Sequence, residues 1–346
     1  MERGAAMHRG AKGETSAHAL SIVVPLYNEA AGLAAFHDSL AAAVRQLTST
    51  RGLRCEVVYV DDGSRDDTLA LARTLPAAVL DVQVVALSRN FGKEAALLAG
   101  LEHARYGAVL FMDGDGQHPP SLIEMLVAQW LDQGYDVVYT AKAGRENESW
   151  LRRLGGKAFY TALNWGSRQK IPADAGDFRL LSPRAADALR QMPERNRFFK
   201  GLASWIGFRQ IRLDYRPAER THGETKWNVA ALAGLSIEGL TSFSVAPLRI
   251  ASLLGLALAF AALIFGVQIL IETAFFHQNV PGYPSMVIGL MVIGGVQLVM
   301  IGVMGEYIGK ILAETKGRPV YFVSEHSLRT AEPRAEDAGG QRSAAE

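Results

Sequence analysis

The chain has 346 residues, enough for one domain of ordinary size and a further element. A formal net charge of +1 argues against a nucleic-acid binder driven by net charge, although local basic clusters could hold phosphates. The single cysteine, Cys55, excludes an internal disulfide, and no Cys/His cluster has zinc-ligand spacing.

Residues 1–18 carry Arg3, Arg9 and Lys12 with no apolar stretch behind them, which is not the form of a cleaved signal peptide and reads as a disordered tail. Residues 20–25 are a short apolar run ended by Pro25. Leu33, Phe36, Leu40, Val44 and Leu47 then recur at three- and four-residue intervals, a helix face. The pattern continues with a strand at 57–60, which Cys55 precedes as a strand-edge core residue, and a helix at 67–75. A strand at 82–87, a helix at 94–104, a strand at 108–112, a helix at 122–131 and a strand at 136–140 follow. Strand and helix alternate with short links, so the fold class is α/β, with a mostly parallel sheet covered by helices on both faces. In such sheets ligands bind at the carboxyl ends of the strands.

Further on, Trp227, Leu232, Leu235, Leu240 and Phe243 fall roughly on one helical face. That suits a helix at a membrane interface and equally a helix packed on the preceding domain. Residues 250–271 are almost uninterrupted apolar sequence, and residues 286–304 are a second such run. Each is long enough to cross a bilayer, which needs about 20 apolar residues. The loop between them, 272–285, has no Lys or Arg, whereas Arg249 precedes the first span and Lys310, Lys316 and Arg318 follow the second. Positive charge belongs on the cytoplasmic side, so both chain ends and the large N-terminal domain are expected there. The expected division is a tail at 1–18, a catalytic domain at 19–227, a juxtamembrane amphipathic helix at 228–248, a two-span hairpin at 249–312 and a cytoplasmic tail at 313–346.

The polar residues after each strand are the candidates for chemistry. They are Tyr27-Asn28-Glu29, then Asp61-Asp62-Gly63-Ser64, then Ser88-Arg89-Asn90-Phe91-Gly92-Lys93, then Asp113-Gly114-Asp115-Gly116-Gln117-His118-Pro119. Asp and Gly are ordinary turn residues, and a solvated turn would explain any one of these. Four together on one rim point to a site. Asp113 and Asp115, one residue apart at a strand end, can hold a hard divalent cation while phosphate oxygens complete its shell.

These segments, with Val24-Pro25-Leu26-Tyr27-Asn28-Glu29, resemble the signatures of family 2 inverting glycosyltransferases. Gly176-Asp177-Phe178-Arg179-Leu180-Leu181, Arg220-Thr221-His222-Gly223-Glu224-Thr225-Lys226-Trp227, the paired spans and Lys316-Gly317-Arg318-Pro319-Val320-Tyr321 resemble the polyprenyl-phosphate glycosyltransferase branch. The resemblance covers about residues 20 to 325. It implies a GT-A nucleotide-sugar-binding domain followed by two transmembrane helices, Mg²⁺ or Mn²⁺ as cofactor, and a bacterial inner-membrane enzyme. It also implies that Pro25, Tyr27, Glu29 and Asp62 contact the donor's base and ribose, and that Lys93 lies near its phosphates. Asp113, Asp115 and Gln117 would hold or orient the metal, and Asp115 and Asp177 would serve the reacting centre. Gly116 stands where the family often has Leu, which suggests a looser backbone without loss of a ligand.

The partners expected are therefore a nucleotide-sugar, a polyprenyl phosphate and the membrane. A lipid monophosphate has a second pKa of about 6 and is already a nucleophile at neutral pH, so Asp177 is expected to position groups rather than remove a proton. The cations available for that phosphate are Arg145, Arg152, Arg153, Arg220 and Lys226, since guanidinium grips phosphate bidentately and ammonium acts as a point charge. Because Gly176 to Leu181 and the paired spans most resemble the bacterial glucosyl branch, UDP-glucose is the favoured donor, GDP-mannose the second, and N-acetylhexosamines or other UDP-sugars follow. A processive polysaccharide synthase would generally carry a Gln-x-x-Arg-Trp motif and more spans, and the sequence has neither. A noncatalytic scaffold would favour loss of a carboxylate, whereas Asp113, Asp115 and Asp177 are all present. A soluble or protein-linked acceptor is the remaining rival. The resemblance also suggests a homo-oligomer, a tetramer among the options, and Gly289, Gly294, Gly295 and Gly302 would allow close helix packing.

Overall fold

The computed structural model describes residues 19–114, 116, 118–142, 161, 175–194, 199–215, 246–276 and 282–331. The chain divides into two units. One comprises residues 1–148, 172–226 and 319–346, the other 149–171 and 227–318.

The first unit is built on a sheet whose described strands run β7-β5-β6-β4-β1-β2-β3-β8. In chain order they are β1 (Ala19–Leu26), β2 (Arg54–Asp61), β3 (Asp81–Leu87), β4 (Ala108–Phe111), β5 (Val137–Lys142), β6 (Ala175–Leu181), β7 (Gln210–Tyr215) and β8 (Val323–Arg329). The helices are α1 (Ala30–Arg51), α2 (Thr68–Ala72), α3 (Lys93–His103), α4 (Leu122–Leu131), α5 (Pro183–Arg190) and α6 (Phe199–Trp205). β1 lies between β2 and β4, parallel to both, with Leu26 opposite Asp61 and Val23 opposite Phe111. Apart from Ser21, whose hydroxyl donates to Glu56, its residues are apolar on both faces because both faces are covered.

Leu20, Ile22 and Val24 face a core completed by Leu33, Phe36, Leu40, Val44 and Leu47 of α1 and by Ile123, Leu126 and Val127 of α4. Each such buried side chain contributes roughly 1.5–3 kcal/mol of transfer free energy. Val23, pointing the other way, meets α3 at Gly100, where an added Cβ would stand 2.1 Å from Val23 Cγ1. Cys55 is buried in β2, and burial pushes its thiol up to about 12, as an inert core residue requires.

Elements up to β5 match the sequence expectation in kind, with α2 ending at Ala72 rather than 75. β6, α5, α6 and β7 were not assigned from sequence, although β7 alternates polar and apolar residues and α5 opens on Ser182-Pro183. β6 is antiparallel to both β4 and β5, with Arg179 opposite Phe111 and Tyr139. Four of the seven strand pairings are parallel, so the sheet is mostly parallel. An antiparallel strand in β6's position begins at the rim where β4 ends. That geometry carries Asp177 to the ligand-binding edge.

Residues 323–329, assigned from sequence to a tail beyond the spans, instead form β8. It runs antiparallel to β3, with Val323 opposite Leu87 and Val82 opposite Arg329. The segment Val-Ser-Glu-His-Ser-Leu-Arg is too polar to announce a strand. It is held by its partner's main chain, by the Ser88 N–H donating to Phe322 O (2.9 Å), by Arg73 pairing with Glu325, and by His326 Nε2 against Gln83 Oε1 (2.9 Å).

The described part of the second unit is two helices, α7 (Ala246–Phe276) and α8 (Tyr283–Lys316). Both are long and apolar enough to cross a membrane, with windows Leu248–Gln268 and Gly289–Lys316 of mean hydropathy 2.5 and 1.7 and none of either window buried. Leu256 is 69% and Leu290 73% exposed, whereas a helix packed in a core buries its apolar face. They touch at Gly255, whose lack of a side chain admits Met300. The residues of the expected interfacial helix, Trp227, Leu232, Leu235, Leu240 and Phe243, lie outside the described residues.

Candidate active site

The turn after β1 is fastened to the turn after β2. Asn28, at φ 56, accepts from Arg65 N–H (2.8 Å), and its own N–H donates to Ser64 Oγ (3.0 Å). Glu29 N–H donates to Thr68 Oγ1 at 2.8 Å. Asp62, 4% exposed, then reaches the turn after β3, accepting from Phe91 N–H (2.7 Å) and Gly92 N–H (2.9 Å). Burial pushes Asp62 above the usual carboxylate range, and those two N–H groups pull against it. Three loops distant in sequence are thus locked into one wall by side-chain-to-backbone bonds.

α3 begins at Lys93, directly after that wall. Lys93 Nζ lies 2.6 Å from Asp113 Oδ1 and 2.7 Å from Asp177 Oδ2. On the other side of the same carboxylate, Lys200 Nζ lies 3.3 Å from Asp177 Oδ1. Burial alone would lower Lys93, but Asp177 and Asp113 outweigh it and hold the ammonium above the usual lysine range. Burial alone would raise Asp177, but Lys93 and Lys200 hold it well below the usual carboxylate range. Asp177 is therefore a fixed anion and a weak base. Beneath it, burial pushes the Glu94 carboxyl up to about 7, against a bond from Phe199 N–H. The buried His118 ring packs on Phe178 and Tyr215, with Nδ1 4.0 Å from Asp113 Oδ2.

These loops enclose a cleft of about 320 Å³. Pro25, Tyr27, Glu29, Asp62, Lys93 and Asp113, all singled out from sequence, line it together with Asn90 and Gly114. Asp177 joins through Lys93 rather than through the cleft wall. Asp115, Gln117, Arg145, Arg152, Arg153, Arg220 and Lys226 lie outside the described residues. Gly116 has φ 73, a left-handed conformation that glycine adopts readily and a Leu would resist. Among the described residues, no group of three or more His, Cys, Asp or Glu side chains is arranged to hold a metal. Asp113 nonetheless offers the cleft a hard oxygen donor, the chemistry that Mg²⁺ and Mn²⁺ take. The sequence reading missed Lys200, Arg179 and Glu94 as site residues. Arg179 sits inside a motif it quoted and Glu94 directly follows one, but Lys200 lies in a basic stretch that looks like solvated surface charge.

The sequence profile described as Glycosyl transferase family 2 matches residues 21–190. An Escherichia coli protein named prophage bactoprenol glucosyl transferase homolog is 40% identical over 306 residues, covering 88% of this chain and 98% of the relative. The chain belongs to the family 2 glycosyltransferases. The bactoprenol glucosyl transferase of Shigella phage SfV is 40% identical, over 90% of this chain and 99% of that protein. The Synechocystis glycosyltransferase sll0501 is 39% identical over 88% and 95%. This glycosyltransferase therefore carries its family's α/β domain and, as its sequence led one to expect, two apolar helices beyond it.

Proposed function

We propose that this glycosyltransferase moves a sugar, glucose before mannose, from a nucleotide-sugar to a polyprenyl phosphate, with inversion, at the cytoplasmic face of a membrane that α7 and α8 cross. The observation that carries the reading is the meeting of Lys93, Asp113 and Asp177 at the cleft. It occurs in a chain 40% identical, nearly end to end, to proteins named for glucosyl transfer to bactoprenol.

The donor lies in the cleft with its base and ribose against Pro25, Tyr27, Glu29 and Asp62 and its diphosphate toward Lys93. Asp113, Asp115 and Gln117 would hold a Mg²⁺ or Mn²⁺ ion, which supplies Lewis-acid stabilisation to the departing nucleoside diphosphate. The acceptor phosphate is largely dianionic at neutral pH and attacks C1 without a general base. Asp177, held as an anion between two ammonium groups, is suited to fixing those groups and poorly suited to taking a proton. Arg145, Arg152, Arg153, Arg220 and Lys226 remain the candidates that draw in the lipid phosphate headgroup.

The test is transfer of label from UDP-glucose, GDP-mannose or UDP-N-acetylglucosamine to undecaprenyl phosphate by detergent-purified protein with Mg²⁺ or Mn²⁺. Asp115→Ala is the control. Label in the lipid from one donor, lost in the variant, supports the reading and names the sugar. Metal-dependent release of nucleoside diphosphate with no lipid label sinks the lipid-phosphate acceptor.

A further inference from the structure

Asp177 presents its two oxygens in different directions. Oδ2 meets Lys93, which lines the donor cleft, and Oδ1 meets Lys200, which is not among the described residues lining it. The main chain just before Lys200 is fastened from two sides. Phe199 N–H donates to Glu94 Oε2 at 2.9 Å, and Phe199 O accepts from Arg179 Nη1 at 3.3 Å. Arg179 is 3% exposed and also donates through Nη2 to Gly176 O (2.9 Å), the residue before Asp177. A buried guanidinium is costly unless its bonds are made. Here the bonds tie the position before Lys200 to the position before Asp177. A lysine serving as solvated surface charge needs no such anchorage. The Lys200 side chain keeps a quarter of its surface open.

We propose that Lys200 binds the phosphate of the acceptor, at the Asp177 oxygen that Lys93 does not occupy. This rests on the lipid-phosphate reading above. Two substrates that both carry negative charge must approach within bonding reach. With the donor diphosphate on Lys93 and the acceptor phosphate on Lys200, each anion meets an ammonium rather than another anion, and Asp177 holds the two ammonium groups in place between them. Without Lys200 the incoming dianion faces the Asp177 carboxylate directly.

The experiment is steady-state transfer by the full-length protein in detergent, varying undecaprenyl phosphate at saturating UDP-glucose and then the reverse. It is run on the wild type, Lys200→Ala, Lys200→Met and Lys200→Arg. Losing one charged hydrogen bond predicts a rise of about ten- to a hundredfold in the KM for the lipid phosphate in Lys200→Ala. The KM for the donor should stay within twofold, and Lys200→Arg should recover most of the loss. Lys200→Met keeps the packing of the stem and carries the test if the alanine variant does not fold. An acceptor KM within twofold of wild type, or a donor KM that rises as much, overturns the assignment. A wild type that labels no lipid phosphate overturns the underlying reading instead, so the two failures are distinguishable.

Discussion

Gly63 joins the two halves of the donor wall, and replacing it by Ala carries two separate costs. Its φ of +68 is left-handed, which costs an L-residue roughly 1–2 kcal/mol. The added Cβ would also stand 2.5 Å from Arg89 C and 2.6 Å from Asn90 N. Those are main-chain atoms with no rotamer to escape into, so the 89–90 backbone must move, at roughly 1–3 kcal/mol for overpacking. The expected loss is therefore about 2–5 kcal/mol. Gly52→Ala isolates the first cost, because Gly52 has φ +65 and nothing within 4 Å of an added Cβ. Thermal unfolding in detergent should show Gly63→Ala losing about twice as many degrees as Gly52→Ala, at roughly 2–4 °C per kcal/mol. Asn90 lines the cleft and Phe91 and Gly92 bond to Asp62, so the KM for the donor should also rise several-fold in Gly63→Ala. It should stay unchanged in Gly52→Ala. Equal stability losses with an unaltered donor KM would refute the close approach of the two loops.

Glu94 is raised in the folded protein from 4.5 to about 7, so between those values the folded state holds a proton that the unfolded state has lost. Stability should therefore fall as pH rises through that window, by an upper bound of roughly 3 kcal/mol. Glu94→Gln keeps an acceptor for Phe199 N–H, and should flatten the melting temperature between pH 5 and pH 8 while matching wild type at pH 5. An unchanged slope would show that Glu94 is not the group responsible. Gly100→Ala should destabilise by about 1–3 kcal/mol through its clash with Val23, despite Ala's better helix propensity. Val23→Ala in the same chain should restore part of that loss in a double-mutant cycle, and strictly additive losses would count against the contact.

Much of the sheet was legible because its central strands are covered on both faces and separated by amphipathic helices. Leu33, Phe36, Leu40, Val44 and Leu47 announce α1 by spacing alone, and all are buried. The strand-end residues Pro25, Tyr27, Glu29, Asp62, Lys93 and Asp113 could be gathered from sequence because parallel strands end on one rim, and they do line one cleft. β6 and β8 were not legible. Their residues carry charges that break the apolar pattern, and each is a strand only because a neighbour's main chain pairs with it antiparallel. Lys200 escaped for a related reason. A lysine's local sequence records neither which carboxylate it meets nor that Phe199 beside it is pinned by Glu94 and Arg179 from two other elements. Periodic burial and local turn chemistry are written in neighbouring residues. The pairing of opposite charges across 84 residues between Lys93 and Asp177 exists only once the sheet has brought them together.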